Sequence, residues 1–296
     1  MEITGKIDPL TGARFFAALL VFMYHQPWME TASSPTARWI YSTMFSDGYM
    51  GVSFFFILSG FILTYTYQER LRKSDAGSMK KFFIARFARI YPLHALTFLI
   101  SLPIAIYSSK GLINSLVAGV FNASLLQSFP PVRWIYFSFN GPSWSISDET
   151  FFYALFPFLL VLTTRNLKVW IGAAIALFLV LLIAALQIPN TELSHWFFYI
   201  FPVTRLWDFL VGILLARLAF ALRPRLQSSA LPDVGVWAAL GLLVVLIAFH
   251  NDVPQNLRWS LYYAPAFALL IFSLTFSKGV IARLLSQRWL VYLGEM

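Results

Sequence analysis

The 296-residue sequence predicts an all-α protein, a polytopic bundle of about eight to nine transmembrane helices with a re-entrant segment at 111–129. Three observations predict it. The composition is 59% hydrophobic and 12% charged with a mean hydropathy of +0.70, beyond the range of globular domains. Apolar runs long enough to cross a bilayer recur at 8–29, 47–67, 82–107, 148–164, 168–187, 195–217, 233–249 and 259–277. Basic residues collect in alternate loops.

A net charge of +9, from 22 basic and 13 acidic residues, would suggest nucleic acid in a soluble chain, but here it reads as the positive-inside signature. With a cytoplasmic N-terminus, the inner segments hold Lys6, then Arg70, Arg72, Lys73, Lys80 and Lys81, then Arg165 and Lys168, then Arg217, Arg223 and Arg225, then Lys278, Arg283 and Arg288. The outer loops keep Arg38, Lys110, Arg133 and Arg258. That asymmetry collapses if 111–129 crosses. The stretch also carries Asn114, Ser115, Asn122, Ser124, Gln127 and Ser128, the polar load of a re-entrant or interfacial segment. Without cysteine, the chain has no disulfide and no thiol nucleophile. No repeat or linker divides it, so residues 1–296 form one transmembrane domain. The tail from Arg288 opens like another span, so further span is expected beyond Met296.

The first span is followed by Gln26, Pro27 and Trp28 rather than a small-residue cleavage site, so it stays in the mature chain. It carries Arg14 and His25, which on a helix lie about 16 Å apart along the axis and about 20° apart around it. An arginine inside a span costs about 2.5–3.5 kcal/mol on the insertion scale and faces protein or water, so the two mark a polar site within the bundle. In the second span, Gly51, Ser59 and Gly60 among phenylalanines permit close helix approach. Arg86 and Arg89 open the third span three positions apart, either as a two-pronged cationic site or as arginines reaching to lipid phosphates. His94, His195 and His250 read as packed or interfacial.

Before the fourth span, Pro142 marks a turn, Ser145 or Ser147 caps the helix, and Asp148 and Glu149 lie in its first turn. Capping accounts for one carboxylate; two beside serines and Trp144 exceed it. Arg205 and Asp208 in the sixth span are spaced as a structural ion pair. No G-x-S-x-G elbow, H-E-x-x-H pair, phosphate loop or dinucleotide fingerprint occurs, and four histidines with none at i,i+4 argue against a metal site.

Arg14-x10-His25, Gly51-Val52 leading into Phe54-Phe55-Phe56-Ile57-Leu58-Ser59-Gly60-Phe61, Arg86-x-x-Arg89-Ile90-Tyr91-Pro92, and Trp144-Ser145-Ile146-Ser147-x-Glu149-x-x-x-Tyr153, in this order, closely resemble the membrane acyltransferase-3 family. The resemblance covers essentially the whole chain. It implies an integral membrane O-acyltransferase, commonly an O-acetyltransferase, acting on cell-envelope sugars and some small molecules. It implies functional roles for Arg14, His25 and Glu149, an arginine motif in Arg86 and Arg89, and acyl-CoA as a cytoplasmic co-substrate rather than a bound cofactor. Arg205 and Asp208 fall where the family has an arginine-acid pair, with Asp where Glu is frequent.

The loop charges place Arg14, Arg86 and Arg89 toward the cytoplasm, and His25 and Glu149 toward the outer face; the resemblance implies that the membrane is a bacterial inner membrane. Arginine forks suit the phosphates of coenzyme A. His25 is then the general base on an acceptor hydroxyl, Glu149 orients the imidazole or the acceptor, and Tyr91, Trp144, Ser145 and Ser147 line the substrate site. The expected partners are membrane lipids, acyl-CoA and a hydroxyl-bearing glycan or lipid-linked sugar, with no nucleic acid. The alternative is a transporter or flippase using His25 and Glu149 as a proton relay; an inert scaffold leaves the intramembrane charges unexplained.

Overall fold

The computed structural model describes residues 6–71, 75–108 (backbone only for 106–108) and 111–296. Arg72, Lys73 and Lys110 of the loop-charge pattern lie outside them. The longer helices are α1 (Asp8–Tyr24), α2 (Gly51–Leu71), α3 (Ala76–Ser108), α4 (Leu112–Ala123), α5 (Trp144–Arg165), α6 (Leu167–Gln187), α7 (Pro202–Leu226), α8 (Leu231–Ala248), α9 (Ala264–Leu274), α10 (Val280–Leu285) and α11 (Arg288–Glu295). No strand occurs among the described residues.

Five stretches are long and apolar enough to cross a membrane: Pro35–Leu71, Ala76–Ala105, Gly141–Arg165, Leu167–Gln187 and Leu231–Ala248. The other expected spans fall outside that set for visible reasons. Helix α1 has 17 residues and α9 has 11, while α7 carries Arg205, Asp208 and Arg217 along its length. The peripheral helices turn apolar residues outward: on α3, Leu93, Leu96, Leu99, Ile100 and Ile104 are exposed while His94 is buried, whereas α2 and α7 bury theirs at the centre. That inversion of a soluble helix is what a lipid solvent selects.

Small residues set the central contact. Gly60 of α2 and Gly212 of α7 face each other so closely that a Cβ on Gly60 would overlap the Phe209 carbonyl, and one on Gly212 the Ile57 carbonyl. At Gly51 a Cβ would stand 2.7 Å from the Ala17 carbonyl oxygen, so α1 presses on the start of α2 in the same way. The close approach read from Gly51 and Gly60 is therefore present.

Helix α4 has 12 residues, about 18 Å, too short for a hydrocarbon core of about 30 Å. It turns Leu112, Ile113, Leu116 and Val120 outward, and buries Ser115 and Asn122. It runs back along α3, with His94 Nε2 2.9 Å from the Asn122 carbonyl and the Tyr91 hydroxyl donating to Ala123 O at 3.2 Å. The chain then reaches α5: Gln127 Nε2 donates to Ser143 O at 2.9 Å and Ser147 Oγ to Leu125 O at 2.7 Å. Segment 111–129 is a short excursion packed on α3 and α5, as its polar load predicts.

Two expectations fail. Neither Ser145 nor Ser147 caps α5, because the turn Gly141–Ser143 runs straight into a helix that begins at Trp144. Ser145 Oγ instead donates to Pro142 O at 3.0 Å, and Asp148 and Glu149 sit beyond the first turn. The expected span 195–217 is broken: a wide turn over Trp196–Ile200 leads to extended Phe201, and Pro202 starts α7 at the position where a missing N–H is harmless.

Replacing Gly60 or Gly212 by leucine is expected to destabilise the detergent-solubilised protein by about 1–3 kcal/mol or more, seen as a fall in Tm. Gly172→Ala, where nothing lies within 4 Å of the new Cβ, serves as the neutral control.

Candidate active site

Four helices bring one charged constellation together. Helix α1 contributes Arg14, α2 Ser59, α3 Arg86 and Arg89, and α5 Glu149 and Tyr153, all lining one narrow cleft. Glu149 and Tyr153 are four residues apart on α5, and the Tyr153 hydroxyl donates to Glu149 Oε2 at 3.0 Å. The Arg86 guanidinium donates to the Tyr67 hydroxyl at 3.1 Å and lies over the Tyr67 and Tyr153 rings, 5.4 and 5.9 Å from their centroids. Three guanidinium groups around one carboxylate leave the cleft positively charged. Planar forks of that kind suit a phosphate or pyrophosphate, which accepts paired hydrogen bonds.

The narrow cleft opens into a larger one of ≈ 600 Å³, with which it shares Arg14, Leu58, Ile62 and Arg89. The larger cleft adds Lys6, Thr11, Thr66 and Glu295. Lys6 and Glu295 pair at 2.5 Å, both partly exposed. Two backbone contacts hold α1 against the short helices here, because a Cβ on Gly12 would overlap Leu285 O and one on Gly294 would overlap Thr11 O.

Glu149 is therefore with the arginines, which corrects the expected division of cations on one side from histidine and carboxylate on the other. The reason is local: α5 begins at Trp144, so Glu149 lies about 7.5 Å down the helix, level with Arg14 rather than with His25.

His25 stands at the C-terminal end of α1, exposed, its Nδ1 2.7 Å from Val21 O and its ring 5.2 Å from that of Tyr24. A carbonyl can only accept, so Nδ1 carries the proton and the neutral ring keeps its lone pair on Nε2. That tautomer is the one a general base requires.

Of the other residues read from sequence, Arg205 and Asp208 form the expected pair, Nε to Oδ2 at 3.0 Å, with no exposed side-chain surface on either. Arg205 also donates to Trp259 O and Ser53 Oγ, both at 2.9 Å. Tyr91, Trp144, Ser145 and Ser147 do not line the arginine cleft. Tyr91 holds α4, Trp144 packs on Phe56 and Tyr199, and the two serines bond the segments before α5. Sequence reading gave no separate role to Tyr153, which the i,i+4 spacing to Glu149 could have signalled. It also missed the buried pairing of Asp47 with Arg258 at 3.1 Å, reinforced by the Tyr263 hydroxyl, because those partners lie far apart in the chain.

The chain belongs to the acyltransferase-3 family, whose model, described as an acyltransferase domain, matches residues 7–296. It is 34% identical over 279 residues to acyltransferase MdmB of Streptomyces mycarofaciens, covering 84% of this chain and 64% of that one. It is 23% identical over 315 residues to O-acetyltransferase OatA of Staphylococcus aureus, covering 97% of this chain and 48% of that one. The chain thus spans between about half and two thirds of the length of these relatives. No solved structure matches it.

Arg205→Leu leaves Asp208 buried and unpaired, and is expected to cost about 3–5 kcal/mol. The double variant Arg205→Leu/Asp208→Leu should recover more than half of that, measured as Tm in one detergent.

Proposed function

We propose that this integral membrane protein transfers an acyl group, acetyl as the first expectation, from acyl-CoA to a hydroxyl of a cell-envelope glycan or similar acceptor. The observation that carries the reading is the cleft in which Arg14, Arg86 and Arg89 surround Glu149. The family match and the relatives named as acyltransferase and O-acetyltransferase support it.

In this reading the donor enters the ≈ 600 Å³ cleft from the cytoplasm, and its phosphates meet the guanidinium groups. Glu149 is then a positioning residue. With Tyr153 it holds the arginines in the neutral-to-positive balance that a polyanion can enter, and it does not touch the imidazole. The thioester points along α1 toward His25, about 16 Å from Arg14. The acceptor hydroxyl attacks the thioester carbonyl as His25 Nε2 takes its proton. The tetrahedral intermediate collapses with cleavage of the C–S bond, and the imidazolium returns the proton to the departing thiolate. Donor and acceptor would thus approach from opposite faces of an inner membrane with a cytoplasmic N-terminus.

The test is transfer of label from radiolabelled acetyl-CoA to a panel of glycans by the purified protein. His25→Ala is expected to lower kcat roughly 10²–10⁴-fold, and Arg86→Ala/Arg89→Ala to raise KM for the donor more than it lowers kcat. Equal labelling by wild type and His25→Ala would overturn the base assignment. Transport of a glycan precursor without acetyl-CoA turnover would overturn the reading as a whole.

A further inference from the structure

A second cavity, ≈ 590 Å³, lies apart from the arginine cleft, between the later part of α3, the start of α4 and residues 134–139. Its size falls within the range of about 300–1,000 Å³ usual for small-molecule sites. Aromatic faces come from Trp134, Phe137 and Phe139, and polar groups from Ser101, Asn114 and Ser138. No charged side chain lines it among the described residues.

The polar groups are placed to meet hydroxyls. Ser101 Oγ donates to Thr97 O at 2.8 Å and keeps its acceptor capacity, while Ser138 Oγ donates to Ile135 O at 2.6 Å and accepts from Asn122 Nδ2 at 2.5 Å, which leaves it one lone pair. The Asn114 amide is exposed and offers both a donor and an acceptor. Trp134, 48% exposed, offers a flat apolar face and an indole N–H. A sugar presents C–H faces and hydroxyls that both donate and accept, which fits this combination; no described side chain lining the cavity offers a phosphate or carboxylate a cation, and Arg133, over the Phe137 ring, is paired with Glu192.

The wall is held with some strain. Phe139 adopts φ 57°, a left-handed conformation costly for a bulky residue, and is fixed there by the Phe98 ring at 4.6 Å and by Gly119. Ring contacts then lead from the cavity to the proposed base: Phe137 to His195 at 6.0 Å, His195 to Trp259 at 4.7 Å, Trp259 to Tyr49 at 4.7 Å, Tyr49 to Tyr24 at 5.3 Å and Tyr24 to His25 at 5.2 Å. Arg14 of α1 and Arg86 and Arg89 of α3 share the narrow cleft, and the cavity lies later along α3 as His25 lies later along α1.

We propose that this cavity is a subsite for an uncharged, polyhydroxylated ligand, a sugar unit of the acceptor remote from the one acylated. Calling the ligand the acceptor rests on the acyl-transfer reading; the capacity to bind neutral sugar does not. Binding is measured without donor, by equilibrium dialysis of the full chain in nanodiscs against radiolabelled uncharged tetrasaccharides (chitotetraose, maltotetraose, cellotetraose) and a sulfated tetrasaccharide. At least one neutral tetrasaccharide should bind saturably and the sulfated one at least tenfold more weakly. Trp134→Ala and Asn114→Ala should each weaken binding at least fivefold, Trp134→Phe should restore most of it, and Gly172→Ala, remote from every site, should leave it unchanged. Both alanine positions are exposed, and an unchanged Tm checks that the variants fold. Saturable binding by none of the neutral sugars, or binding indifferent to Trp134→Ala and Asn114→Ala, would overturn the subsite. Sugar binding without acetyl transfer would overturn the enzymatic reading alone.

Discussion

The Arg205 guanidinium, with no exposed side-chain surface, ties together parts of the chain that are otherwise distant. It pairs with Asp208 on its own helix, reaches Ser53 on α2 and the Trp259 carbonyl before α9, and lies over the Phe56 and Tyr199 rings. In a low-dielectric interior such a charge is tolerable only when its partners are in place. Its full set of bonds exists only when α2, α7 and the 259–260 turn are docked, with Ser260 donating to Asp208 Oδ2 at 3.1 Å. The glycine contact between α2 and α7 supplies the closeness, and the Arg205–Ser53 hydrogen bond supplies the register.

Around that centre the chain separates two chemistries along α1. At the Arg14 level, three cations from two helices, α1 and α3, surround one carboxylate from α5, a charge balance suited to a polyanion. At the His25 level the surroundings change to tyrosines, tryptophans and a histidine whose tautomer is fixed by Val21. The two levels are about three turns of helix apart, too far for direct contact and close enough for one extended donor to touch both. A carboxylate among arginines, rather than beside the imidazole, changes the part Glu149 plays. In the proposed reading it tunes and holds the donor site, and His25 serves as base with its own backbone hydrogen bond.

Much of this was legible in the sequence because lipid imposes strong patterns. Long apolar runs, alternate basic loops and the costly Arg14, Arg205 and Asp208 each announce themselves without a partner being known. Spacing on one helix also reads directly, as Arg205 and Asp208 show. What was not legible depends on where a helix begins and on what comes from elsewhere in the chain. Placing the start of α5 at its serines rather than at Trp144 put Glu149 on the wrong level, and no local signal revealed that Asp47 meets Arg258. The broken span after His195 was hidden because its aromatic residues are as apolar as a helix that crosses.

The central claim is that α1 carries a donor site open to one face of the membrane and a base open to the other. This cysteine-free sequence permits a direct measurement: single variants His25→Cys and Thr66→Cys, labelled with a membrane-impermeant maleimide in sealed vesicles of known orientation. The account predicts labelling of His25→Cys only from the outer face, and of Thr66→Cys only from the inner face and blocked by acetyl-CoA. Labelling of both positions from the same face would contradict it.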